Sequence, residues 1–224
     1  MKDKKLFFFG ILPALFFQVF GATLYLLWES ELTGWIYLIT KLTLLFWPLL
    51  WLTAFTQALP NQTGGAKNSI KLAAGLISGL LFSGIVFGAF FLGLQPAAGD
   101  LLERVKAFGL ADPWLYLLFA IFLSFFHSLL EEYYWRWFVF RGLQLKFSWV
   151  WAALISSAAF TGHHYFVLSG FFSLPLTLLL GTSVGVAGFI WCALYHKTKS
   201  IWPAYLSHIL VDATLMGVGY LILF

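Results

Sequence analysis

The chain has one cysteine, Cys192, among its 224 residues. A lone cysteine excludes an internal disulfide and leaves no thiolate cluster for a metal. Charge is equally scarce: Asp, Glu, Lys and Arg make up 10% of the residues, against about 25% in a soluble domain. That scarcity leaves no room for a separate soluble domain. The net charge of +4 is small and scattered, so nucleic-acid binding is not expected. The chain shows no internal repeat and no glycine-rich phosphate loop.

What fills the chain is apolar. Hydrophobic residues account for 61% of it, with 26 Phe and 11 Trp, and the mean hydropathy is +0.89. Apolar runs at 6–28, 33–58, 70–94, 114–140, 148–168, 171–195 and 201–223 suit spans of about 20 residues. They predict an all-α, polytopic membrane protein with seven transmembrane helices, a single integral membrane domain over 1–224. Gly162, Gly170 and Pro175 within 147–175 allow an eighth, half-inserted segment. The first run is longer than a signal-peptide core and lacks a small-residue cleavage site, so it reads as a retained helix.

Charge placement orients this chain. With the N-terminus inside, inner segments hold Lys2, Lys4, Lys5, Lys67, Lys71, Arg136, Arg141, Lys146, Lys197 and Lys199, and outer ones only Arg104 and Lys106. That asymmetry follows the positive-inside rule. Lys41 falls well inside the second span, and Glu29, Glu31, Asp100, Glu103 and Asp112 fall outside. Asn61-Gln62-Thr63 matches a glycosylation sequon, but on this topology it is cytoplasmic and inert. Gly75, Gly79, Gly84 and Gly88 form two small-xxx-small pairs in the third run, expected to let helices approach closely. Residues 100–109 read as a short interfacial helix capped by Asp100 and ended by Gly109, and Asp112-Pro113 as the start of the fourth span.

Against that background, a few ionisable residues in the later spans stand out, because a charge at mid-bilayer costs at least about 2.5–3.5 kcal/mol. Glu132 and Arg136 are four apart with the acid first, the favoured order for a helical ion pair. Glu131 lies about 100° round the helix and is left unmatched, a candidate general base facing the bundle interior. His127, four residues before it, could share its face. Phe160 and His164 are one turn apart, so the ring can buttress the imidazole, while His163 points elsewhere. His208 and Asp212 are again four apart, and the acid would fix the imidazole tautomer, making His208 a candidate oxyanion donor. Glu131 with two histidines would also suit zinc. None of the spacing is the compact HExxH type, so a site without cofactor is the simpler expectation. Counting from the inner span ends, Glu131, His208 and Asp212 come to a common depth of about 11–17 Å, whereas His164 comes out deeper, at about 24 Å.

The order Glu131-Glu132-Tyr-Tyr-Trp-Arg136, Phe160-Thr-Gly-His163-His164 and His208-Ile-Leu-Val-Asp212, across the last four spans, resembles the CAAX protease and bacteriocin-processing (CPBP/Abi) family, which includes the Ras-converting CAAX prenyl endopeptidases. The resemblance covers roughly 110–220, which would be the catalytic core. It implies an intramembrane glutamic-type endopeptidase in which Glu131 and His164 activate a water while His208 and Asp212 stabilise the oxyanion. Glu132, Arg136 and Phe160 would support the site. Asp212 stands where the prenyl endopeptidases have Asn; an ionised Asp cannot donate to an oxyanion, so Asp212 would act through His208. The same departure points to the prokaryotic branch of the family, in the plasma membrane, whose peptide or lipidated-protein substrates need not be prenylated. Two rivals come from other classes. A proton-coupled transporter would show repeat symmetry and matched broken helices, and the sequence shows neither. A non-catalytic scaffold or immunity protein could carry the same motifs.

Overall fold

The computed structural model describes residues 2–27, 33–59, 68–96 and 98–224. Lys67, Glu29, Glu31 and the Asn61–Thr63 sequon lie outside the described residues. Among the described residues every regular element is helical, as a lipid-embedded backbone requires, since each N–H and C=O must be satisfied within its own segment. The long rods are α1 (Leu6–Leu24), α2 (Gly34–Leu50) with its continuation α3 (Leu52–Ala58), α4 (Asn68–Phe91), α6 (Pro113–Leu143), α7 (Trp149–Ser169), α8 (Leu174–Thr198) and α9 (Trp202–Leu223). The short amphipathic α5 (Ala98–Ala107) precedes α6. Five rods are long and apolar enough to cross a membrane, and the α2–α3 pair makes a sixth if counted as one. α7, at 21 residues, is long enough to cross but carries the Ser, Thr and His residues around the second motif.

Prolines set several boundaries. Pro113, Pro175 and Pro203 each sit in the first turn of a rod, where the missing N–H costs nothing. Pro175, taken above as part of a half-inserted segment, therefore starts α8, and α7 runs unbroken through Gly162. The Asp112 carboxylate accepts from Trp114 N–H at 2.9 Å and Leu115 N–H at 3.1 Å, the cap expected for α6. The interfacial helix instead begins at Ala98, so Asp100 lies within its first turn and is not its cap. Gly109, with φ +71°, closes it. The second run departs from expectation: instead of one straight span over 33–58, the chain bends by 52° between Gly34–Leu50 and Leu52–Ala58. Pro48 lies three residues before the break; its ring cannot donate and crowds the preceding turn.

α4 packs along α9 through half of its small residues. A β-carbon on Gly79 would sit 2.9 Å from Ser207 Cα, and one on Gly75 would sit 2.8 Å from Pro203 Cα. Gly84 and Gly88 have nothing within 4 Å of such an atom, so the second pair does not serve the contact expected of it. Ser83 locks the same seam, its hydroxyl donating to the Leu210 carbonyl at 3.0 Å.

α1 is not a peripheral anchor. Leu6 and Phe7 are buried at its start, and from Ile11 on its buried side chains are Ile11, Ala14, Leu15, Gln18 and Ala22, the i, i+3, i+4, i+7, i+11 stripe of a helix facing a core. Tyr134 donates its hydroxyl to the Ala14 carbonyl at 2.6 Å, tying α1 to α6. A β-carbon on Gly162 would sit 2.6 Å from Val19 Cγ2; the absence of that atom lets α1 seat against α7.

Candidate active site

α6 supplies the first motif from an unusual stretch of helix. Its hydrogen bonding widens to i→i+5 over Phe122–His127 and again over Tyr133–Phe140, on either side of the turn that carries Glu131 and Glu132. Such widened turns recur at functional sites. Glu131, Glu132 and Arg136 are all buried, at 1%, 0% and 1% exposure. Charges so far from water persist only when paired.

Glu132 is the structural acid. Its Oε1 lies 3.1 Å from Arg136 Nη1 and 2.9 Å from His208 Nδ1, so one oxygen joins the first motif to the third. The Arg136 guanidinium lies over two rings that touch each other, 4.6 Å from the centroid of Phe160 and 4.9 Å from that of Trp191. Trp191 also stacks on the His208 imidazole at 4.2 Å, tilted by 22°, while its indole N–H donates to Ser207 Oγ at 2.9 Å. A carboxylate only accepts, so His208 Nδ1 carries a proton toward Glu132. Its Nε2 then faces the space between Asp212 Oδ2 at 3.6 Å and Glu131 Oε2 at 3.9 Å.

Glu131 has a different set of neighbours. Gln18 Nε2 donates to its Oε1 at 2.6 Å. His127 Nε2 is 3.3 Å and His163 Nε2 3.7 Å from the same oxygen. The face shared by His127 and Glu131 is therefore real. His163, placed on another face by its spacing from His164, is the histidine of α7 that comes within 4 Å of Glu131. His164 lies beside it, the two ring centroids 3.9 Å apart. Its Nδ1 is 3.1 Å from the Phe160 carbonyl; a carbonyl only accepts, so the proton is on Nδ1, and a neutral His164 presents Nε2 as an acceptor. The Phe160 ring meets the His164 ring edge-on at 4.7 Å, the buttress expected from their spacing, and reaches His208 at 6.3 Å.

The three motifs thus converge despite the depth mismatch expected from sequence. α6 extends to Leu143, which puts Glu131 at about 18 Å from its C-terminal end, and α7 begins at Trp149, which puts His164 at about 22 Å from its N-terminal end. The difference is less than one helical turn.

Three neighbours are not singled out by sequence: Gln18, Trp135 and Trp191. Gln18 carries a usable signal, as a polar residue in the middle of the apolar stripe of α1. The tryptophans carry none, being two of eleven.

A groove of about 270 Å³ runs between α6 and α9, lined by Leu117, Ile121, Ser124, Phe125, Ala213 and Met216 among others. Its walls are mostly apolar, and one of its lining residues, Ala213, follows Asp212 in the sequence.

No curated protein and no solved structure matches the chain. Residues 113–214, which carry all three motifs, match the family model of the Rce1-like type II CAAX prenyl endopeptidases, the group that the order of the motifs resembles.

Proposed function

We propose that the protein is an intramembrane endopeptidase that hydrolyses a peptide bond with a water activated by Glu131 and His164. The observation that carries this reading is the division of labour between two adjacent buried acids. Glu132 is tied through Oε1 to both Arg136 and His208, whereas Glu131, with Oε1 held by Gln18, turns Oε2 toward an imidazole across 3.9 Å.

In this reading Glu131 Oε2 takes a proton from water while His164 Nε2 accepts the other hydrogen and orients it. The hydroxide adds to the scissile carbonyl, and the oxyanion forms beside His208. With Nδ1 committed to Glu132, His208 can donate from Nε2 only as the imidazolium, whose charge Glu132, Asp212 and Glu131 balance. Collapse of the intermediate breaks the C–N bond, and the proton held by Glu131 passes to the leaving amine. Asp212 acts through His208, and Glu132 with Arg136 and Phe160 fixes the geometry. The site needs no metal or other cofactor.

The substrate is a peptide or lipidated-protein chain end, its apolar part lying in the groove between α6 and α9. Hydrophobic pairing of the groove walls with a lipid chain supports that placement. In this reading the broken span and the six other rods are seven transmembrane helices, with the N-terminus and the opening of the site on the cytoplasmic side of a prokaryotic plasma membrane; the lysine distribution supports the orientation of the N-terminus. Purified protein incubated with lipidated and plain peptides, and the products mapped by mass spectrometry, tests the reading. A single new peptide bond cleaved in the presence of chelators supports it. Complete loss of cleavage with chelators gives the chemistry to a metal, and intact peptides leave the scaffold role.

A further inference from the structure

Gln18 lies in α1, 113 positions before Glu131 and outside the segment that matches the family model. It is 2% exposed. Its amide is held at both ends. Trp135 Nε1 donates to Gln18 Oε1 at 2.7 Å, and Gln18 Nε2 donates to Glu131 Oε1 at 2.6 Å. An indole N–H can only donate. The amide carbonyl must therefore face Trp135, which leaves the NH2 group facing Glu131. Trp135 fixes the orientation that an isolated amide would leave open.

We propose that Gln18 is a positioning residue for the catalytic carboxylate: it pins Glu131 by Oε1 and so selects Oε2 as the oxygen that receives the proton of the water. His127 and His163 crowd the same pinned oxygen, at 3.3 Å and 3.7 Å. Oε2 faces His208, at 3.9 Å. A carboxylate that could rotate would offer either oxygen, and a water set between His164 and His208 would meet the right one part of the time. Placement of this kind supplies much of an enzyme's rate. The inference rests on Glu131 being the general base. It also makes α1 a working part of the site.

The test uses the full-length protein and the variants Gln18→Met and Trp135→Phe. Methionine fills nearly the same volume without a donor. The Trp135→Phe change keeps a ring but frees the amide to turn its carbonyl toward Glu131. Two readouts are taken. The first is cleavage of a farnesylated fluorogenic peptide and of its unmodified form. Gln18→Met is expected to lower kcat at least tenfold, as loss of a charge-assisted hydrogen bond implies, with KM within about twofold of wild type. Trp135→Phe is expected to do the same to a smaller degree. The second is the infrared carboxylate band of Glu131, isolated as wild type minus Glu131→Gln; with nine Asp and Glu in the chain the difference is tractable. That band is expected to shift in Gln18→Met. An unmoved band, or a shifted band with unchanged kcat, overturns the proposal. Should cleavage survive Glu131→Gln, the reading of Glu131 as base fails, and the band alone then decides whether Gln18 holds that carboxylate.

Discussion

His208 Nδ1 and Glu132 Oε1 lie 2.9 Å apart across 76 positions of sequence, and that contact welds the last helix to the first motif. Removing one partner of a buried charge pair leaves the other unpaired, at a cost of about 3–5 kcal/mol. Glu132→Gln should therefore lower stability as well as activity, seen as a fall in Tm in detergent. Glu131→Gln should lower activity with Tm nearly unchanged, because Gln18 and two histidines remain around the site. Equal Tm losses in both variants would undo the division between structural and reacting acid.

Arg136→Lys should behave as a disruptive change. The guanidinium lies over both the Phe160 and the Trp191 rings, and its delocalised charge and forked donors are not reproduced by an ammonium. Loss of cleavage of at least tenfold, with weaker packing of Trp191 seen in its fluorescence, is the expected outcome.

The two adjacent histidines of α7 are separable. His164→Ala should lower kcat by about 10²–10⁴-fold, the range for a lost general acid–base or water-orienting group. His163→Asn should stay within about tenfold of wild type, since its imidazole faces the oxygen already held by Gln18. The reverse ranking would make His163 the partner of the water.

The α4–α9 seam gives a paired test. Gly79→Ala would press a methyl group against Ser207 Cα, 2.9 Å away, and should cost about 1–3 kcal/mol by overpacking while shifting the neighbouring His208. Gly84→Ala meets nothing within 4 Å and should leave both stability and cleavage intact.

Filling the groove between α6 and α9 tests where the substrate's apolar part sits. Ala213→Trp should raise KM for a lipidated peptide about tenfold and leave the unmodified peptide's KM unchanged. An equal effect on both would exclude the groove from lipid binding.

How far the sequence reaches follows from what each signal depends on. Glu132–Arg136 and Phe160–His164 are contacts within one helix, so helical spacing alone places them. The bond from His208 to Glu132 and the approach of His163 to Glu131 join different helices, and spacing says nothing about how two rods are rotated against each other. The break at Trp51 escapes for a related reason: the run over 33–58 is evenly apolar, and hydropathy does not register the backbone effect of Pro48. Gln18 is the most recoverable omission, because a buried amide inside an apolar stripe needs a partner, and the unmatched Glu131 is available to be that partner.

The central claim is that Glu131 is the base, and cleavage by Glu131→Gln measures it directly. Against a peptide that the wild type cuts at one bond, with Tm confirming the fold, the account predicts a fall in kcat of at least a hundredfold. Cleavage within tenfold of wild type at the same bond would contradict it.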